Sequence, residues 1–90
     1  MIKYKVDKVE RTCYACPSLW EIYVDGKNLF YVRYRWGQLK IVDNMTGNIV
    51  FSEQDSDEIL GLMEFDEMKE RTKSLFDFGD VKETAPRYGY

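Results

Sequence analysis

Residues 19–41 read LWEIYVDGKNLFYVRYRWGQLKI, and the alternation in this stretch decides the architecture. Trp20, Ile22 and Val24, then Phe30, Val32, Tyr34 and Trp36, place a large apolar side chain at every second position. That is the period of strands with one buried face. A three-residue loop at 26–28 would set Val24 opposite Phe30, Ile22 opposite Val32 and Trp20 opposite Tyr34, leaving one face wholly apolar. The other face would pair Tyr23 with Tyr31 and Glu21 with Arg33, contacts worth roughly 0.2–1 kcal/mol each in antiparallel ladders. A two-residue Asp25-Gly26 loop would shift the register by one and mix the faces.

The same face continues outward from this core stretch. A type II′ turn at Gly37-Gln38 places Leu39 and Ile41 beside Trp36 and Tyr34. A turn through Met45, Thr46 and Gly47 then sets Ile49 and Phe51 beside Ile41 and Leu39. Strands are expected at 19–25, 29–36, 39–43 and 48–52, with a fifth at 2–6, where Ile2, Tyr4 and Val6 alternate with Lys3 and Lys5. Residues 11–18 lose the alternation and contain Pro17, so they read as a loop.

Beyond Gln54 the period changes to that of helices. Asp55 with Glu58 resembles a capping box, and Ile59, Leu60, Leu62 and Met63 form a stripe. Phe65, Met68, Leu75 and Phe76 would point to the opposite side of the same helix. Two helices are therefore expected, at 56–63 and 66–76, with Asp66 as the second cap and Glu67–Arg71 as an i,i+4 pair. The expected fold is α+β, an antiparallel β-meander of four to five strands with two C-terminal helices packed on one face. One domain would span 1–76, with 77–90 as a loosely ordered tail.

Ninety residues, 44% hydrophobic and 16% aromatic, suffice for a single core. The net charge of −3 is unevenly placed: residues 1–52 carry eight Lys/Arg against five Asp/Glu, and residues 53–83 four against eleven. No apolar run reaches the ~18 residues of a membrane span, and the first ten residues carry no signal-peptide core. A cytoplasmic protein with no membrane contact is expected. Histidine is absent, which removes Ser-His and Cys-His catalysis and His-containing metal sites. Cys13 and Cys16 form a CxxC followed by Pro17 and a strand rather than opening a helix, a poor setting for a lowered thiol pKa. Two thiols cannot complete a zinc site unless Cys13 and Cys16 are shared across a homodimer. No cofactor and no enzymatic activity are expected.

Two surfaces remain as candidates for binding. The solvent face of the meander would show Tyr23, Tyr31, Arg33, Arg35 and Lys40, with Trp36 nearby as a stacking platform. Such a surface suits a protein partner, a nucleotide-like ligand with arginine on phosphate, or, less readily, single-stranded nucleic acid. The second surface is acidic, with Asp57, Glu58, Glu64, Glu67 and Glu70 on the helical half. CPSLWE at 16–21 with YVRYRWGQLKI at 31–41 resembles a pattern in small uncharacterised bacterial and phage proteins, approximately CPSxWE followed by YxRYRWG. The resemblance implies a setting in mobile elements, where small acidic proteins act as inhibitors, nucleotide sponges or regulators. A non-enzymatic binding protein engaging a protein partner is the leading expectation. A nucleotide-like ligand and single-stranded nucleic acid are the alternatives.

Overall fold

The computed structural model describes residues 3–13, 18–55 and 63–84. The strands are β1 (Tyr4–Lys5), β2 (Lys8–Cys13), β3 (Ser18–Val24), β4 (Lys27–Arg35), β5 (Gln38–Asp43), β6 (Ile49–Gln54), β7 (Phe76–Asp77) and β8 (Glu83–Thr84), with one helix, α1 (Phe65–Arg71). Six of them form one sheet in the order β6-β5-β4-β3-β2-β8, antiparallel except where β8 runs parallel to β2. β1 and β7 pair in parallel as a second, two-stranded sheet. No helix among the described residues is long and apolar enough to cross a membrane.

The meander follows the alternation read from residues 19–41, but its turns differ. Val24 pairs with Lys27, so the loop is the two-residue Asp25-Gly26 turn, with φ of 54° and 75° as a type I′ turn requires. The mixing of faces that such a loop threatens is undone by a bulge. Tyr23 pairs with Asn28 and Ile22 with Phe30, leaving Leu29 as the extra residue. Trp20 then faces Val32, and Ser18 faces Tyr34. At the next turn Arg35 pairs with Gln38, so Trp36-Gly37 forms the loop and Trp36 leaves the core ridge. A further bulge, opposite Ile41 and Val42, sets Phe51 rather than Ile49 beside Ile41 and turns Ile49 outward to 57% exposure.

The expected pair of C-terminal helices is corrected: the chain is mostly β, and α1 is the single helix among the described residues. Most of the first expected helix, residues 56–62, lies outside those residues. The second ends at Arg71, with Thr72 at φ −110° and its hydroxyl donating to the Met68 carbonyl at 2.8 Å. After it, buried Phe76, exposed Asp77 and buried Phe78 alternate as a strand does, so no helix runs on to residue 76. Glu64, not Asp66, occupies the N-cap position, without a side-chain cap bond. Glu67 and Arg71 do pair, at 3.3 Å. Residues 77–84 dock rather than hang free, since Phe78 is buried and β8 adds to the sheet.

The core lies between one face of the six-stranded sheet and the 63–81 segment. Val9, Trp20, Ile22, Phe30, Val32, Tyr34, Leu39 and Ile41 meet Met63, Met68, Phe76 and Phe78. Edge-to-face rings run through it: Tyr4 to Phe30 at 4.8 Å, Phe30 to Phe76 at 5.2 Å and Phe76 to Phe78 at 5.6 Å. One core position is charged. Arg11, only 2% exposed, donates to the Met63 carbonyl at 2.7 Å and to Ser18 Oγ at 3.2 Å. It also lies 3.5 Å from Glu83 and 4.6 Å from the centre of the Trp20 ring.

At the far end of the sheet Arg71 grips Asp55 with two nitrogens, at 2.7 and 3.0 Å, and Glu53 at 2.6 Å. The Tyr34 hydroxyl donates to the same Asp55 carboxylate at 2.6 Å. Hydrogen bonds from Arg71 and Tyr34 hold the Asp55 carboxyl below its ordinary range, and burial followed by the Asp55 bond pushes Tyr34 up to about 12. The two groups act on stability at opposite ends of the pH scale. Asp55 stabilises the fold above its ordinary value of 3.8, and that contribution is lost as pH falls through its lowered folded value. The Tyr34 contribution is complete below its ordinary value of 10.0 and is lost as pH rises toward about 12. Urea midpoints measured across pH should fall in both directions from a neutral plateau. Tyr34→Phe should remove the alkaline fall that this phenol contributes while leaving other alkaline effects in place.

Candidate anion-binding site

With 63–81 covering one face of the sheet, the outward side chains of β3, β4 and β5 form the opposite face. Strand alternation puts Tyr31, Arg33 and Arg35 of β4 on it, with Gln38, Lys40 and Val42 of β5 as their cross-strand partners. Tyr34 and Leu39, one residue away, point into the core. At the turn end of this face Arg33, Arg35, Trp36, Gln38 and Lys40 line a shallow cavity of about 190 Å³.

Three features distinguish this end of the sheet. First, Arg33 and Lys40 are directly opposite one another, a like-charge pair that disfavours the ladder. Second, none of Arg33, Arg35 and Lys40 has a carboxylate within ion-pair distance among the described residues. Lys8, Arg11, Lys69, Arg71 and Lys73 each have one, and among the described residues Lys3, Lys5, Lys27 and Lys82 do not, so what sets Arg33, Arg35 and Lys40 apart is that all three gather at one cavity. Third, Trp36 sits at φ 56° and is 61% exposed. A left-handed conformation costs a residue with a Cβ about 1–2 kcal/mol, and the first position of this turn favours Asn, Asp or Gly. Neither burial nor turn preference repays that cost here.

The turn is held in place from β6 and the residue after it. Asp55 N–H donates to the Gly37 carbonyl at 2.7 Å, and Gln54 Nε2 donates to the Trp36 carbonyl at 3.2 Å. Gln38 Nε2 donates to Ser52 Oγ at 3.2 Å, which fixes the amide and leaves its oxygen to accept from a ligand. The Arg35 guanidinium lies 5.3 Å from the centre of the Trp36 ring, so one face of the indole meets a cation. A concave, cationic surface with a positioned indole can take up an anion and stack a planar group. Its lining among the described residues is three cations, an indole and an amide.

Of the residues expected to bind, Arg33, Arg35 and Trp36 come together here. Tyr31 is one row further along the same face, where burial pushes its phenol up and Arg33 draws it partly back. It faces Glu21, which accepts from Asn28 Nδ2 at 2.9 Å, so the expected Glu21–Arg33 and Tyr23–Tyr31 pairs do not form. Tyr23 lies near the other end of β4, with Lys8 at 5.0 Å from its ring. Gln38 was not expected as a site residue because the sequence reading placed it in the turn; its Trp36-Gly37 neighbours take that role. Cys13 ends β2, half-buried, and Cys16 lies outside the described residues. No group of three or more Cys, Asp or Glu among the described residues could hold a metal ion.

Several carboxylates of the acidic surface are paired within the chain. Glu67 bonds Arg71 at 3.3 Å, Glu70 bonds Lys73 at 2.6 Å, and Asp66 lies 3.4 Å from Lys69. Glu64 is exposed, while Asp57 and Glu58 lie outside the described residues. No family model matches this chain, and no curated protein or solved structure matches it at a significant level.

Proposed function

We propose that this chain is a non-enzymatic binding protein that takes an anionic partner at the turn between β4 and β5. The observation that carries this reading is the set of three cations, Arg33, Arg35 and Lys40, gathered around one cavity without a carboxylate at ion-pair distance among the described residues. Two of them oppose each other across the ladder at a cost to stability, which an anion placed between them would reverse. The chain as a whole is acidic, so the attraction is local. A protein partner drawn to Glu67 and Glu70 has less support, because Glu70 is paired with Lys73 and Glu67 shares Arg71 with Glu53 and Asp55.

Pyrophosphate is the simplest probe of this reading. Calorimetric titration should show one site per chain, with affinity falling steeply as salt is raised from low to physiological strength. Saturable binding that is indifferent to salt, or none at low salt, would count against an anion site.

A further inference from the structure

We infer that the anion is the phosphate of a nucleotide, whose base stacks on Trp36; this rests on the anion-site reading above and names its ligand. The indole is the feature an anion alone does not explain. It is large, 61% exposed and held at φ 56° on a turn clamped by Gln54 and Asp55. A simple phosphate site would be served as well by asparagine at that position, without the strain.

The arrangement matches a nucleotide in its parts. With Arg35 against one face of the indole, the other is available to a planar ring, giving a guanidinium–indole–base stack. Two residues of strand, about 7 Å along β4, separate Arg33 from Arg35 and the turn. That is the span from a base across its sugar to a 5′-phosphate, which would lie between Arg33 and Lys40. Gln38, held by Ser52, has its amide oxygen left to accept from a sugar hydroxyl or an exocyclic amine. The footprint is one nucleotide long. In the next row of the sheet Tyr31 is followed by Glu21 and Glu10, so the cationic surface ends there.

A free nucleotide and one nucleotide within a single strand share this chemistry. Trp20 is fully buried and Trp36 exposed, so iodide-quenchable emission reports on Trp36. Titrating the full chain with adenosine diphosphate, uridine diphosphate, pyrophosphate and a short oligothymidylate, each followed by this emission and by calorimetry, separates the cases. Both nucleoside diphosphates should bind about tenfold tighter than pyrophosphate and protect Trp36 from iodide. Trp36→Asn, which suits the left-handed turn, should remain folded and bind nucleoside diphosphates no tighter than that variant binds pyrophosphate. An oligonucleotide binding much tighter than the mononucleotides would make the natural source a strand, and equal affinity a free nucleotide. If nucleotides and pyrophosphate bind alike, the base contact is wrong and the anion site stands. If neither binds, both fall.

Discussion

Arg11→Ala should destabilise the fold by about 3–5 kcal/mol, the range for removing one partner from a buried charged network. In a domain of this size that is a large part of the total stability. Among the described residues the guanidinium joins β2, from which it projects, to Ser18 in β3, to the Met63 carbonyl ahead of α1 and to Glu83 in β8. Without it the Met63 carbonyl loses a buried donor, and among the described residues Glu83 is left with the bond from Trp20 Nε1 at 2.9 Å. The indole also loses the surface stacked on it. Arg11→Met restores the stem but not the bonds, so it should recover part of the loss. Urea unfolding measures both variants. A cost below about 1 kcal/mol for Arg11→Ala would mean that the network is dispensable.

The same residue explains why β2 was not legible. An inward-facing arginine at position 11 breaks the apolar alternation that marks a half-buried strand, and nothing local reveals that Ser18, Met63 and Glu83 will receive it. The β3–β4–β5 face was legible because one apolar ridge survives several registers. Moving the turn to Asp25-Gly26 and adding a bulge at Leu29 shifts the pairs from Ile22–Phe30 onward by two and leaves the same side chains inward. What such a shift changes is the outer face and the ends of the strands. Glu21 therefore meets Tyr31 instead of Arg33, and Trp36, expected in the core, stands out on a turn. The candidate site came from the sequence as a basic, aromatic face, but its concavity depended on that turn. The single short helix among the described residues was less legible, since Leu75 and Phe76 fit a helical stripe with Phe65 and Met68 until the strand period of 76–78 is recognised.

Lys40→Glu should weaken pyrophosphate binding about 100-fold, as a charge-assisted contact worth roughly 1.5–3 kcal/mol is replaced by repulsion. Its effect on stability should have the opposite sign. The substitution turns a like-charge cross-strand pair into an opposite-charge one with Arg33, so unfolding should become harder by about 0.2–1 kcal/mol. A protein that is more stable and no longer binds cannot owe its loss of binding to unfolding. Arg33→Glu should do the same from the other strand. If Lys40→Glu destabilises the chain, the opposition of the two cations is not the burden described here; if it binds as well as wild type, Lys40 does not contact the anion.

The place of the site is tested most directly by backbone amide resonances followed during a pyrophosphate titration. The predicted result is a set of saturable shifts centred on residues 33–40 and their β6 neighbours Ser52 and Gln54, which bond Gln38 and the turn. Shifts centred instead on residues 64–73, or spread evenly with no saturation, would contradict it.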